Sequence, residues 1–200
     1  MDKKFRAAEA ELQKNDPRRG DVIKLNGHIY HEPRTDYFFA LCRNIVSQQI
    51  STAAASKIFD RLEKATSLQP KKVAAITDKQ IKEIGLSGQK AGYIRDLAHH
   101  FINEPKVYNH LEKLSDDEVI AKLVAVKGIG AWTAQMFLMF TLIRLDVFAP
   151  DDIGIQRAMK QLYGWKSVSK EKMVKVAEKW RPYRTVACWH LWASLQNTPN

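Results

Sequence analysis

In the segment DDEVIAKLVAVKGIGAWTAQMFLMF, residues 116–140, apolar Val119, Leu123 and Val126 close one helical pattern, and Ala134, Phe137 and Leu138 open another. Only KGIG separates them, and a turn this short between two apolar faces predicts an αα-hairpin. Gly128 and Gly130 can take φ values closed to other residues, and their bare backbone lets a ligand approach closely. The helix that opens near Ala131 would present its first N–H groups and the positive end of its dipole at the turn, with Lys127 adding charge. A phosphate fits there. An ordinary hairpin with a glycine turn fits the same residues, and G-x-G alone does not choose between the two.

Helical periodicity dominates the remainder. Phe38, Leu41, Cys42 and Ile45 mark one apolar face, and Ala91, Ile94, Leu97, Ala98 and Phe101 mark another. Thr77 to Gln80 and Ser115 to Glu118 have capping-box spacing, so both predict helix starts. Gly85 and Gly164 stand where helices should end. The one strand-like patch, VIKLNGHIYHE at 22–32, places Asn26 and Gly27 between short apolar runs. A small hairpin and a loop leading to the helix near Tyr37 both fit, and the loop is expected. No repeat or long polar linker interrupts the chain. With 200 residues and 45% hydrophobic side chains, it can bury one sizeable core or two small lobes sharing a cleft. The expected fold class is all-α, a single compact helical unit over 1–200.

Lys and Arg total 32 against 22 Asp and Glu, a formal net charge of +10 that draws polyanions, nucleic acid first among them. A merely soluble basic surface has the same total, so charge needs a motif beside it. Cys42 and Cys188 lie in apolar helical patterns and are expected as buried free thiols. His99, His100 and His110 cluster loosely without a completing Cys or carboxylate, so they read as solvated residues at helix ends. No metal site and no cofactor are expected. The N-terminal stretch has no apolar signal core and no window approaches a membrane span, which predicts a reducing, intracellular setting away from any membrane.

In VFAPDDIGIQRAM, residues 147–159, adjacent aspartates follow a proline at the end of an apolar run. Asp151, directly after Pro150, suits a helix N-cap, whereas Asp152 in the first turn can point its carboxylate into a cleft. Two acids after proline ordinarily mean capping and nothing more.

Taken in order, these segments resemble a known family. LVAVKGIGAWTAQMFLMF followed by DVFAPDDIGIQRAM resembles the helix-hairpin-helix plus Gly/Pro-Asp signature of a DNA glycosylase superfamily. NIVSQQIS at 44–51 is similar to the loop that opens its lesion-facing helix, and LSGQKAGYIRDLA resembles its following helical hairpin. WRPYRTVACWHLW is similar to the closing segment of the alkylation-repair branch, the 3-methyladenine DNA glycosylase II group. The resemblance runs almost continuously from about 36 to 193, and several motifs in order are far more specific than any one.

The resemblance implies a two-lobed helical bundle with a cleft between the lobes. Lobe one would span about 36–115, lobe two about 1–35 plus 116–200, and the helix-hairpin-helix about 119–143. It implies that Asp152 is catalytic, because the pattern D-x-x-[IV]-x-R is met by Asp152, Ile155 and Arg157. Cleaving an N-glycosidic bond builds positive charge on the deoxyribose, which a carboxylate stabilises while it orients or deprotonates the attacking water. Lys127, Gly128, Ile129 and Gly130 would hold the DNA backbone. Trp132, Trp192 and Met136 would line the base pocket, where aromatic faces attract a cationic base. Core packing is the alternative for the tryptophans, and Trp189 is assigned to it. Met136 stands where the better-known bacterial branch has tyrosine. Gln49 aligns best with the side chain that wedges into the DNA, with Gln48 and Ile50 as competing assignments.

Bifunctional relatives carry a lysine just after the GxG that attacks the sugar and forms a Schiff base. Here that position is Trp132, and Lys127 precedes the first glycine, so a monofunctional enzyme leaving an abasic site is expected. The C-terminal cysteine set of the iron-sulfur branch is absent, which leaves alkylated purines such as 3-methyladenine and 7-methylguanine as the expected substrates. The expectation is a minimal helical enzyme, monomeric, acting on double-stranded DNA containing damaged bases. A non-enzymatic helix-hairpin-helix DNA-binding module would need the hairpin but neither the acid nor the aromatic pocket. A glycosylase for another lesion would keep both and alter the pocket.

Overall fold

The structure, a computed structural model, describes residues 2–196. In chain order they form α1 (Asp2–Asn15), α2 (Pro17–Asn26), α3 (Tyr37–Ser47), α4 (Thr52–Thr66), α5 (Pro70–Ala74), α6 (Asp78–Ile84), α7 (Gly88–Asn103) and α8 (Pro105–Tyr108). After a 3₁₀ turn at Leu111–Lys113 come α9 (Asp116–Val124), α10 (Ala131–Phe140), α11 (Ile153–Tyr163) and α12 (Lys170–Ala177). A second 3₁₀ turn, Glu178–Trp180, precedes α13 (Arg184–Gln196). Among the described residues there is no strand, and no helix is long and apolar enough to cross a membrane.

The chain divides into two compact units, the middle one being Arg34–Phe137. Its helices start where a side-chain oxygen satisfies orphan N–H groups and continue where an apolar face can be buried. Asp36 accepts the Phe39 N–H at 2.9 Å to open α3. At α6 and α9 the boxes from Thr77 to Gln80 and from Ser115 to Glu118 both close, and Gly85, at φ +84°, ends α6. The face Phe38, Leu41, Cys42 and Ile45 is buried, as is Ala91, Ile94, Leu97, Ala98 and Phe101. Burying each large aliphatic side chain of this kind stabilises by about 1.5–3 kcal/mol.

From sequence the middle lobe ends near 115. In the structure this unit runs on through α9 and the hairpin to Phe137, because the hairpin is tied to α7. Asp96 accepts the Lys127 N–H at 2.8 Å, and Gly128 lies against the Tyr93 ring.

The other unit comprises the described residues up to Pro33 and from Leu138 onward, with Phe5, Leu12, Ile23, Met159, Trp180 and Leu191 in its core. Residues 22–26, expected as loop, are helical and complete α2. Burial of Ile23 against the neighbouring helices outweighs the turn signal of Asn26-Gly27, which instead ends the helix, with Gly27 at φ +70°. Cys42 and Cys188 are buried and form no disulfide, and burial pushes the Cys42 thiol far up from its ordinary value. His99 and His110 are exposed, while His100 is half-buried with Nδ1 at 3.0 Å from the Tyr108 hydroxyl.

A polar cluster fastens α1 and α13 to the stretch after α2. Buried Glu9 accepts the Ile29 N–H at 3.0 Å and meets His190 Nε2 at 3.1 Å through Oε1. Its Oε2 lies 2.7 Å from His28 Nδ1, whose ring reaches Asp2 through Nε2 at 2.5 Å. The bond to Glu9 holds His28 above its ordinary 6.5, against the opposing effect of burial and with help from Asp2. A raised folded value means that this stabilisation is complete below 6.5 and is lost as pH rises through the folded value. The thermal unfolding midpoint should therefore fall as pH rises above 6.5, and His28→Gln should flatten that dependence. Circular dichroism melts across a pH series at constant ionic strength check this; a slope unchanged in the variant would assign the dependence to other groups.

Candidate active site

The loop from Thr141 to Asp152 brings the acidic pair to the start of α11, and the first turn of α13 pins it. Thr185, fully buried, donates its hydroxyl to the Arg144 carbonyl at 2.6 Å and accepts the Val147 N–H at 3.0 Å. Its own N–H donates to the Leu145 carbonyl at 2.9 Å. Asp146 is clasped by Arg184 Nε at 2.7 Å and Arg181 Nη1 at 2.6 Å, and Gln156 Nε2 donates to the Pro150 carbonyl at 2.9 Å.

With the loop so fixed, Asp152 is itself the N-cap of α11, its Oδ1 accepting the Ile155 N–H at 2.8 Å. This reverses the expectation that Asp151 caps the helix. Asp151 is exposed and paired with Lys170. The cap needs its carboxylate three residues before the N–H it accepts, and the loop gives that place to Asp152. Oδ1 also accepts Trp192 Nε1 at 2.8 Å. Two donors on one oxygen fix the plane of the carboxyl and the direction of Oδ2. Gly154 makes room for this arrangement, since a Cβ there would lie 3.0 Å from Asp152 Oδ1 and from Trp192 Cδ1 and Nε1. Trp192, predicted as a pocket aromatic, is thus a partner of the carboxylate. Its half-buried ring packs 5.4 Å from that of Phe140, while Trp189 is buried in the core.

In the middle unit the glycines of the hairpin differ. Gly128 has φ +81°, and a Cβ there would sit 2.2 Å from Tyr93 Cδ2. Gly130 has no left-handed φ, and a Cβ there would meet open space. The turn therefore requires glycine only at 128, and at Gly130 the structure leaves room for a side chain. Ile129 corrects a further expectation: its side chain is buried and its N–H donates to the Val126 carbonyl at 3.1 Å, so it anchors the turn and is not an outward donor. Lys127 extends from the turn 76% exposed, its ammonium 3.8 Å from Asp96. The Gly130 carbonyl accepts the Ala134 N–H at 3.0 Å, which starts α10 and leaves Trp132 exposed on its first turn.

A recess of about 480 Å³ is lined by Trp132, Thr133 and Met136 of α10 and by Asn44, Ser47, Gln48 and Gln49. The structure thus brings Gln48, Gln49, Trp132 and Met136 together, and in the other unit Asp152 with Trp192. Gln48 is committed inward, its Nε2 donating to the Gly128 carbonyl at 2.9 Å. Gln49 is exposed at φ +57°, and Ile50 lines a separate recess with Arg43 and Phe59. Sequence reasoning missed Lys90, Tyr93 and Asp96, which recur every third residue on one face of α7 behind these features. Their spacing is visible in LSGQKAGYIRDLA; what they face is not.

A family profile described as HhH-GPD superfamily base excision DNA repair protein matches residues 42–182. The chain belongs to this superfamily. The hairpin between α9 and α10 and the Pro150–Asp152 segment both fall within the matched span of this HhH-GPD protein. It is 32% identical over 244 residues to the DNA-3-methyladenine glycosylase of Saccharomyces cerevisiae, covering 96% of this chain and 80% of that protein. Among solved structures, a DNA-3-methyladenine glycosidase from Bacillus halodurans is similar with a TM-score of 0.83 and 36% identity, over 93% of this chain and 88% of that one. A 3-methyladenine DNA glycosylase of Schizosaccharomyces pombe, solved in complex with abasic DNA, aligns with a TM-score of 0.82 and 28% identity, over 95% and 97%.

The two hairpin glycines should respond differently to alanine. Gly128→Ala is expected to destabilise the fold by at least about 1–3 kcal/mol, from left-handed strain and the clash with Tyr93. Gly130→Ala should leave the melting curve unchanged and weaken binding to damaged and undamaged duplexes by similar factors. Thermal melts with fluorescence anisotropy on both duplexes decide it; wild-type affinity in Gly130→Ala would reduce KGIG to a structural turn.

Proposed function

We propose that this protein is a monofunctional DNA glycosylase. It flips alkylated purines, such as 3-methyladenine and 7-methylguanine, out of double-stranded DNA and hydrolyses their N-glycosidic bond, acting as a monomer and leaving an abasic site. The observation that carries this reading is Asp152, a carboxylate 9% exposed and held by two donors at 2.8 Å, one of them an indole. Capping α11 accounts for the Ile155 bond alone; the indole bond beside it is what a module that only bound DNA would not need. The 3-methyladenine relatives support the substrate class, and the yeast complex with abasic DNA supports the product.

Each step follows from the chemistry of named groups. The Lys127 ammonium and the backbone at Gly128 and Gly130 hold a phosphate, which gives affinity without choosing the lesion. Gln49, exposed on its turn, fills the stack where the damaged base leaves, a vacancy that costs less to open at a damaged pair. Trp132 offers an electron-rich face to a cationic purine, and Met136 beside it gives a soft, polarisable wall.

As the bond from the sugar to the base lengthens, its electron pair leaves with the purine, and C1′ gains positive charge. The Asp152 carboxylate opposes that charge, orients the water whose oxygen then bonds to C1′, and takes the proton that this water loses. An alkylated purine already carries positive charge, so it departs without a dedicated acid. With Trp132 just after the G-x-G, the hairpin supplies no amine for a Schiff base, and the strand stays intact.

Asp152→Asn should lose roughly 10²-fold or more in single-turnover base release while keeping its fold and its affinity for DNA, because asparagine caps a helix about as well as aspartate. Asp151→Asn should stay near wild type. If Asp151→Asn proves the more damaging change, the assignment of the catalytic carboxylate is wrong.

A further inference from the structure

We propose that Lys90 is the positioning residue for Gln49: its ammonium bridges the carbonyls that flank the end of α3 and holds the following turn in the shape that presents Gln49 to the duplex. The proposal rests on the reading of Gln49 as the wedge.

α3 ends at Ser47, where the last carbonyls of a helix lack intrahelical partners. Lys90 Nζ donates to the Val46 carbonyl at 2.7 Å and to the Gln48 carbonyl at 2.6 Å. A cation at this end also complements the helix dipole. The next residue, Gln49, has φ +57°, a left-handed conformation that costs a side-chain-bearing residue about 1–2 kcal/mol and persists only where its surroundings enforce it. Those surroundings are specific. Lys90 grips the carbonyl before Gln49 from one side, and the Gln48 amide grips the Gly128 carbonyl at 2.9 Å from another. After it, Ser51 caps α4 by accepting the Ala54 N–H at 3.3 Å.

Lys90 is itself well placed to be rigid. Its N–H is capped by Ser87 Oγ at 3.3 Å in the first turn of α7, and Tyr93 and Asp96 on the same face hold the phosphate-binding hairpin. Burial lowers the Lys90 pKa, so the site bears a desolvation cost that a neutral side chain of the same length would avoid. What the charge supplies in return is two strong bonds to carbonyls that nothing neutral and aliphatic could bind. A wedge that enters a base stack needs such support, because a loose turn would have to be ordered during extrusion itself. Lys90 should therefore govern extrusion and leave grip on the DNA backbone unchanged.

A double-mutant cycle on Lys90→Met and Gln49→Ala tests this, read by stopped-flow fluorescence of 2-aminopurine beside the lesion and by single-turnover base release. Lys90→Met should slow extrusion about tenfold or more, the scale of losing hydrogen bonds to a charged group, with affinity for undamaged duplex within about twofold of wild type. Lys90→Arg should recover most of the rate, and Lys90→Met should add no loss in the Gln49→Ala background. An equal fold-loss in both backgrounds would make Lys90 a general support and overturn the proposal. So would wild-type extrusion in Lys90→Met when Gln49→Ala is slow, and that result would spare the wedge reading. Gln49→Ala without effect would remove the wedge reading and Lys90 with it. If Lys90→Met does not fold by circular dichroism, Lys90→Gln goes through the same cycle with the same criteria.

Discussion

The oxygen Oδ1 of Asp152 carries the constraint on which the proposed chemistry depends. It receives the Ile155 N–H and the Trp192 indole N–H at 2.8 Å each, so one carboxylate both starts α11 and is locked in rotation. Holding it there takes a whole loop. Thr185 binds backbone groups of residues 144, 145 and 147, and Arg181 and Arg184 clasp Asp146. Gly154 is small because an indole and a carboxylate already occupy the space its side chain would fill. A charged group preorganised in this way costs little to reorganise as charge develops opposite it, which is the general origin of electrostatic catalysis.

The middle unit solves a different problem with one helix face. Lys90, Tyr93 and Asp96 of α7 hold the turn after α3, the Cα of Gly128 and the N–H of Lys127. Two left-handed positions, Gln49 at φ +57° and Gly128 at φ +81°, lie along that face, and the Gln48 amide links them. A left-handed glutamine held against a rigid helix fits a surface that meets DNA without reshaping itself. Asp96 also tempers Lys127, whose ammonium stands 3.8 Å from the carboxylate on an otherwise exposed side chain.

What could be read from the sequence was whatever local chemistry decides. The faces of α3 and α7, both capping boxes and the glycine ends of α6 and α11 rest on interactions within a few residues, and all were legible. The hairpin and the family were legible through the resemblance of several motifs in order. Which aspartate caps the helix was not, because Thr185 and Arg184, far along the chain, set the loop that decides it. The helical state of 22–26 was hidden for a similar reason, since burial of Ile23 overrides an Asn-Gly turn signal. Gly128 and Gly130 look alike in sequence, and only the left-handed φ of Gly128 and the Tyr93 ring against it tell them apart. The bond from Trp192 to Asp152 links residues forty apart on different helices, and no spacing rule reaches it.

The central claim is that this carboxylate and its surroundings break the bond between an alkylated purine and its sugar. The most direct test is chromatography of the bases released when the protein acts on duplex DNA treated with a methylating agent, with the strands examined before and after alkali. The account predicts free 3-methyladenine, strands that stay whole until alkali cleaves the abasic sites, and no covalent protein–DNA adduct after borohydride reduction. Tight binding to the methylated duplex without any free base, or an adduct accompanied by strand cleavage, would contradict it.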